Sequence, residues 1–153
     1  MALQTLYKIK ANTYLDLPAG YNYSTVVPGG VAAVNSAGFL VVGADNEPSP
    51  VGIFQVQGFV PPYQSTGLLD AQINGATGSY LAGVTVSYLS GAGAMMLTDQ
   101  VISLNSIPIG SYLVGGANGM LKAQGVSTAP VIAILVGVSV QPEGTFAAIQ
   151  MRI

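Results

Sequence analysis

A pattern of strands and turns occurs twice in this chain of 153 residues, and it limits the possible folds more than any other feature. The matched segments are 27–34, 35–38 and 39–42 in the first copy and 107–114, 115–119 and 120–123 in the second. Pro28 and Pro108 are 80 residues apart, and the turn glycines Gly38 and Gly119 are 81 apart. A polar loop then leads to a Val-Gly-apolar segment, at 51–53 and at 136–138. Two matching halves predict a duplicated unit.

Short strands separated by turns account for most of the remaining pattern. Segments 3–10, 84–90 and 149–153 alternate with a period of two, whereas 39–42 and 131–136 are apolar on both faces. Twenty glycines and nine prolines interrupt these runs, and Asn118-Gly119 is typical of a tight hairpin turn. The best helical candidate is a short turn around residues 66–72. We therefore predict an all-β fold, a small β-barrel, β-tulip or sandwich built from two similar halves, with an extended N-terminal arm.

The chain length fits a single domain that spans residues 1–153. Within it we expect an N-terminal arm at 1–12, a first β module at 26–56 and a second at 106–153. Residues 57–80 form a less regular loop excursion between the modules. Its Pro61-Pro62 pair favours extended backbone there.

The surface of this chain must be unusually poor in charge. Charged residues make up 7% of the sequence, against about 25% in an ordinary soluble domain. Amide, hydroxyl and apolar side chains must therefore cover much of the exterior. Such a surface repels its neighbours weakly, which favours a protein that works packed against other proteins.

Composition also excludes several classes of function. A nucleic-acid-binding role is disfavoured because there are four basic residues and the net charge is −2. The most apolar run, 131–138, is too short to span a bilayer, and no basic segment of a signal peptide opens the chain. Without Cys or His, the chain lacks thiolate ligands, disulfides and the commonest metal-binding and acid–base side chain.

No catalytic or metal-binding motif stands out. Asp45 and Glu47 could contribute to a calcium loop, but the spaced acids of such a loop are missing, so a solvated turn is favoured. The glycines of 91–95 lack the helix and the acidic partner of a dinucleotide site, which favours a turn between strands. A carboxylate pair for glycoside cleavage would have to come from six acids, most of them beside turn-forming residues. These are Asp16, Asp45, Glu47, Asp70, Asp99 and Glu143. We expect no enzyme activity, cofactor or metal.

Aromatic residues suggest where contacts between subunits could form. Tyr14, Tyr21 and Tyr23 surround a turn that does not need three aromatic side chains for its own stability. Phe59 and Tyr63 lie in the loop excursion, where they are expected to pack against another surface. Packing in the protein's own core is the alternative for each of these residues, and for Met95, Met96 and Leu97.

The order of these segments resembles the head decoration, or cement, proteins of tailed bacteriophages. The resemblance rests on a Pro-Gly-Gly-Val strand, a turn that ends in glycine, a Phe-Leu-Val-Val strand, a polar loop and the Pro-Val-Gly-Ile segment 50–53. The carboxyl end, from 134–138 through 143–145 to 149–153, resembles the same module. The resemblance covers residues 26–56 and 106–153. Family members usually carry one module in a shorter, more charged chain.

The resemblance implies a non-enzymatic virion protein, made in the host cytoplasm, that lies on the outer surface of a capsid and stabilises contacts between coat subunits. Its partners would be the major capsid protein and copies of itself, as a trimer or a dimer. The N-terminal arm is the expected capsid contact, ordered when it pairs with the edge of a neighbouring strand. The contact residues would be Leu3, Leu6, Tyr7, Lys8, Ile9 and Lys10, with the two lysines meeting acidic coat residues.

Two other functions fit an all-β chain of this composition. One is a carbohydrate- or ligand-binding β-sandwich module that uses tyrosines as stacking platforms, although the chain has no Trp. The other is a component of a phage tail or fibre.

Overall fold

Antiparallel strands form almost all the regular structure of the described residues, in agreement with the all-β prediction. The computed structural model describes residues 26–54 and 85–153, together with the segments 3–7, 11–16, 21–22, 73–74 and 79–80. The described strands are β1 (Leu3–Tyr7), β2 (Ala11–Asp16), β3 (Tyr21–Asn22), β4 (Val31–Val34), β5 (Leu40–Val42), β6 (Pro50–Phe54), β7 (Ile73–Asn74), β8 (Ser79–Tyr80), β9 (Thr85–Ser90), β10 (Met95–Thr98), β11 (Tyr112–Gly115), β12 (Leu121–Ala123), β13 (Ala133–Gln141) and β14 (Gly144–Met151). Two 3₁₀ turns, Leu104–Ser106 and Ala117–Gly119, join strands in the second half. The helical turn predicted at 66–72 lies outside the described residues.

The strands form two larger sheets and one small one. The first sheet has the order β2-β9-β6-β4-β5, and the second has the order β1-β10-β14-β13-β11-β12. The strands β3, β8 and β7 form a small third sheet, in the order β3-β8-β7, and pair with neither of the larger sheets. Among the described strands no sheet closes on itself, so these residues show two open antiparallel sheets and no closed barrel.

Both larger sheets place their strands in the same order. Numbered along the chain, the five strands of the first sheet lie in the order first, fifth, fourth, second, third. The second sheet repeats this order with β10 to β14, and β1 is added at its edge. The repeat in the sequence therefore corresponds to a repeat in sheet topology.

Backbone hydrogen bonds define the register of this repeat. The amide of Gly29 donates to the carbonyl of Phe54 at 2.8 Å. In the second half the amide of Gly110 donates to the carbonyl of Leu135 at 2.7 Å, so both partners are displaced by 81 residues (110 − 29). The same displacement relates Gly43 N to Val31 O with Gln124 N to Tyr112 O, and Asn35 N to Phe39 O with Gly116 N to Met120 O. Residues 27–54, the first repeat, therefore match residues 108–135, the second repeat, without a gap.

This register corrects two matches that the sequence suggested. Pro28 does not correspond to Pro108, because the position that the turn constrains is the next glycine with positive φ, which is Gly29 (φ 90°) in one repeat and Gly110 (φ 92°) in the other. The segment 51–53 corresponds to 132–134, not to 136–138. Gly137 lies beyond the second repeat, after a register irregularity in the pairing of β13 with β14.

The two repeats bury opposite faces against each other. Val31, Ile53 and Leu89, on one face of the first sheet, join the main core. The positions that match Val31 and Ile53 in the second repeat, Tyr112 and Ile134, lie on the outer face of the second sheet, where Tyr112 is 45% exposed. The second sheet contributes its other face to the main core, through Leu113, Leu121, Ala133, Leu135, Ile149 and Met151. The packing of the two repeats is therefore not a symmetric contact between matching faces.

The first sheet has buried residues on both faces. Its second face carries Ala32, Leu40 and Phe54, which are fully buried, and Tyr88, which is 9% exposed. Burial on both faces explains why β6 is apolar at consecutive positions. The run 39–42 fits this expectation only in part, because Leu40 is buried but Phe39 is 40% exposed.

A long antiparallel ribbon connects the two sheets. It has two described parts: Leu3–Tyr7 pairs with Met95–Thr98, with one irregularity near Tyr7, and Ala11–Asp16 pairs with Thr85–Ser90. One strand of the ribbon is β1 followed by β2, and the other is β9 followed by β10. The predicted turn at 91–95 is the bend between β9 and β10, where Gly91 and Gly93 adopt positive φ.

The N-terminal arm differs from the expectation of a segment that pairs only with a neighbouring molecule. Residues 3–7 form β1, and β1 pairs with β10 of the same chain. The strand period in the sequence predicted this conformation, but it carried no information about which edge the strand would join. β1 is the outermost strand of the second sheet.

Candidate interaction site

The loop between β5 and β6 is held in shape by a buried carboxylate. Glu47 is 7% exposed, and its carboxylate accepts hydrogen bonds from the amides of Ala44 (2.7 Å) and Ser49 (3.0 Å). Charge-assisted bonds of this kind are among the stronger hydrogen bonds in proteins. Glu47 therefore organises the loop, and both of its carboxylate oxygens are already used as acceptors.

The turn between β11 and β12 packs against this loop and against β5. A Cβ on Gly119 would collide with Cγ1 of Val42. A Cβ on Gly115 would lie 2.8 Å from Cβ of Glu47, and the carbonyl of Gly115 accepts a hydrogen bond from the amide of Asn46 at 2.9 Å. Glycine therefore suits both positions, because a side chain would meet the loop backbone and Glu47 at position 115 and the side chain of Val42 at position 119.

Polar contacts join the same surfaces. The Nζ of Lys122 lies 2.6 Å from Oδ1 of Asp45, in an ion pair that is open to solvent. The hydroxyl of Ser127 donates to Oδ1 of Asn46 at 2.8 Å. An exposed ion pair contributes about 0 to 1 kcal/mol, so close packing at the glycines is the larger contribution to this contact.

An open groove of about 670 Å³ lies beside this contact, between the loops of the two repeats. Backbone and side chains of both repeats line it: Asn46, Pro48, Lys122, Ala123, Gln124, Val126, Ser127, Thr128, Ala129 and Pro130. The described lining combines amide and hydroxyl groups with small apolar side chains and contains no aromatic ring. It suits a polypeptide segment with both backbone and apolar groups better than a stacked sugar ring.

A second exposed feature is the hairpin of β13 and β14. Val136, Val138 and Val140 are 36%, 46% and 81% exposed, and none of them belongs to a described core cluster. From 136 to 145 the only charged residue is Glu143. Three exposed valines on one strand are a common sign of a contact surface.

The predicted contact residues are described only in part. Leu3, Leu6 and Tyr7 lie on β1, Tyr14 on β2 and Tyr21 on β3, where Tyr21 pairs with Tyr80. Lys8, Ile9, Lys10, Tyr23, Phe59 and Tyr63 lie outside the described residues. The sheet order places Tyr14 and Tyr21 on different sheets.

Met95, Met96 and Leu97 form part of β10. Met96 is fully buried in the main core, and Leu97 is 4% exposed. Met96 and Leu97 therefore pack in the core of their own chain and do not form a contact surface.

Among the exposed apolar residues, Phe39, Ile109 and Val126 were not considered as contact residues from the sequence. Phe39, Ile109, Tyr112 and Val126 are all at least 40% exposed. Arg152 lies over the ring of Tyr112, with its guanidinium carbon 5.9 Å from the ring centre. Each of Phe39, Ile109 and Val126 is next to a turn glycine in the sequence. This position indicates that the apolar residue lies in a loop and not in a buried strand.

The acids of the described segments are separated. Over 26–54 and 88–153 no group of three acids comes close enough to hold a metal ion. In the part of the chain that the structure describes, there is also no helix with the length and hydropathy needed to cross a bilayer. Asp45 pairs with Lys122, and Glu47 binds backbone amides, as described above.

Comparison of the chain with models of protein families, with curated proteins and with solved structures finds no match. The arguments about function therefore rest on the residues, on their geometry and on the resemblance of the sequence pattern.

Proposed function

We propose that this chain is a non-enzymatic structural protein that attaches to the outer surface of a bacteriophage head and stabilises contacts between coat subunits. The observation that carries the proposal is the row of exposed valines at Val136, Val138 and Val140 on the β13–β14 hairpin. The free energy falls when a partner covers an apolar strand surface that carries almost no charge. The resemblance to head decoration proteins supplies the identity of that partner.

The edge strand β1 supports a second point of attachment. One side of β1 pairs with β10, and no described strand pairs with its other side. The unpaired groups of an edge strand can bind an extended segment of another protein without any charged contact. In this proposal β1 keeps the capsid-binding role expected for the N-terminal arm, but it binds as a strand that is already part of a sheet.

The small-barrel or β-tulip arrangement that the resemblance implies belongs to the same proposal. The antiparallel pairing of β1 with β10 in one sheet and of β2 with β9 in the other supports it, because strands that pass from one sheet to another form the corners of such folds. The proposal also includes localisation on the virion and the absence of catalysis.

Binding to expanded heads that lack the protein tests this function. Val138→Asp and Val140→Asp place a charge in the proposed contact, and Asn105→Asp adds the same charge on an exposed loop outside the hairpin. We expect wild type and Asn105→Asp to co-sediment with heads, and both valine variants to bind at least about tenfold more weakly. Equal binding by all four proteins, or no binding by wild type, would overturn the proposal.

A further inference from the structure

Asn118 and Gly119 lie at the tip of the hairpin formed by β11 and β12, and this dipeptide can react with itself. The backbone nitrogen of the residue after an asparagine can attack the carbon of the asparagine side-chain amide. Glycine hinders this attack least, because it has no side chain. Asparagine is for this reason a thermolabile residue. The sequence therefore indicates that residue 118 is chemically reactive.

The side chain of Asn118 is accessible to water. The residue is exposed, and no described residue makes a hydrogen bond with its side chain. Asn35, in the turn between β4 and β5, differs in this respect, because its Oδ1 accepts hydrogen bonds from the amides of Ala37 and Phe39, both at 3.0 Å. Asn35 is also followed by a serine, not by a glycine. Asn118 is therefore the more reactive of these two turn asparagines.

The backbone of the hairpin tip holds the reacting atoms apart. The ring closes only when the bond between Cα and the carbonyl carbon of Asn118 rotates until the nitrogen of Gly119 eclipses Cβ. Asn118 instead has φ 58° and ψ 31°, and Gly119 also has a positive φ (73°). Hydrogen bonds span this turn, from the amide of Gly116 to the carbonyl of Met120 (2.6 Å) and from the amide of Met120 to the carbonyl of Ala117 (3.2 Å). Reaction at Asn118 therefore requires the tip to open.

The first repeat opposes this opening, because it packs closely against Gly119. Gly119 is buried, and a Cβ there would collide with Cγ1 of Val42. Its carbonyl oxygen would lie 3.2 Å from a Cβ placed on Gly30. A peptide packed this closely rotates only after the hairpin tip has separated from the first repeat. Docking of the tip therefore limits access to the reactive conformation.

We propose that Asn118 is a site of spontaneous deamidation, and that the packing of the hairpin tip against Val42 and Gly30 sets the rate of this reaction. The nitrogen of Gly119 forms a bond to Cγ of Asn118, and the side-chain nitrogen leaves as ammonia with the proton of the attacking amide. Water then opens the cyclic imide, which gives aspartate or isoaspartate at residue 118 and consumes no other reagent.

The isoaspartate product should weaken the contact between the repeats. In isoaspartate the chain runs through the side-chain carbons, so the backbone of the tip becomes longer by a methylene. The close approach of Gly119 to Val42 leaves little room for this extra group. The inference does not depend on the proposed role on a phage head.

Incubation of the purified chain at neutral pH tests the site. Peptide mass spectrometry detects the replacement of nitrogen by oxygen at residue 118, and the same chain unfolded in guanidinium chloride gives the rate without docking. Val42→Ala removes the methyl group that lies against Gly119, so the folded tip should open more often. Ile149→Val is the matched control, because it shortens a core side chain on β14, which pairs with neither β11 nor β12. Chemical denaturation gives the unfolded fraction of each variant, so deamidation through global unfolding can be subtracted.

We expect folded wild type to deamidate at residue 118 at least about tenfold more slowly than the unfolded chain, and Val42→Ala to react at least about threefold faster than wild type. Ile149→Val should react at the wild-type rate after the subtraction. An unfolded chain that keeps its amide at residue 118 would overturn the inference. So would equal rates for folded and unfolded wild type, or a Val42→Ala variant that reacts no faster than Ile149→Val.

Discussion

Gly119 lies against Val42 so closely that no Cβ would fit between the two residues. The turn of the second repeat thereby rests directly on a strand of the first. The matching glycine of the first repeat, Gly38, adopts a similar φ (86° against 73°) but has open space around it. The chain thus provides its own control for the energetic value of this contact.

Replacing Gly119 by Ala should destabilise the protein more than replacing Gly38 by Ala. Both variants place Ala at a positive φ, which costs about 1 to 2 kcal/mol. Gly119→Ala adds a collision with Val42, for which overpacking typically costs about 1 to 3 kcal/mol more. Urea unfolding of the two variants measures the difference. Equal losses of stability would contradict the close packing of the repeats.

The loop carboxylate should matter for stability rather than for metal binding. Glu47→Gln places an amide N–H₂ opposite a backbone N–H, so we expect a loss of about 1 to 3 kcal/mol. Asp45→Asn removes an exposed ion pair with Lys122 and alters a long, exposed hydrogen bond from Asn46, so it should cost less than about 1 kcal/mol. Calcium should leave the unfolding midpoint of wild type unchanged. A rise with calcium that both variants lose would instead indicate a metal site.

Exchanging glycine and alanine at matching positions of β6 and β13 should change the stability of the protein by different amounts. Gly52 corresponds to Ala133, but a Cβ on Gly52 would collide with the carbonyl oxygen of Leu89 and lie 2.9 Å from Cδ2 of Tyr88. Gly52→Ala should therefore cost about 3 kcal/mol or more, because strand backbone must move. Ala133→Gly should cost about 1 kcal/mol. Chemical denaturation that ranks the two in the opposite order would contradict the close approach of β9 to Gly52.

The sequence predicted the strands better than it predicted their partners. Alternation at 3–10 and 84–90 indicated β1 and β9, and Asn118-Gly119 indicated a turn in which both residues have positive φ. The match between 51–53 and 136–138 was wrong: both segments read Val-Gly-apolar, but the register pairs 51–53 with 132–134. Which residue is opposite which depends on long-range hydrogen bonds, and no local pattern encodes them.

The groove and the exposed hairpin were not predictable for a related reason. Asn46 and Ser127 come together only when the two repeats pack. Leu135 is fully buried, yet Val138 and Val140 of the same apolar strand are exposed. Hydrophobicity alone does not tell a core strand from a strand that extends beyond the core.

Hydrogen exchange on β1 should distinguish its two edges. In the free protein the amides of residues 3–7 that point toward β10 should be protected, and the alternate amides should exchange quickly. Bound to heads, the second set should become protected as well, because the proposed strand addition supplies its acceptors. Fast exchange of all these amides in the free protein would contradict the pairing of β1 with β10, and an unchanged pattern on heads would contradict strand addition.

Electron cryo-microscopy of expanded heads with and without this protein tests the proposed function most directly. We predict difference density on the outer capsid surface, across contacts between coat subunits, with the β13–β14 hairpin turned toward the shell. Heads that are identical in the two samples, or density for the chain in the tail or fibres instead, would contradict the account.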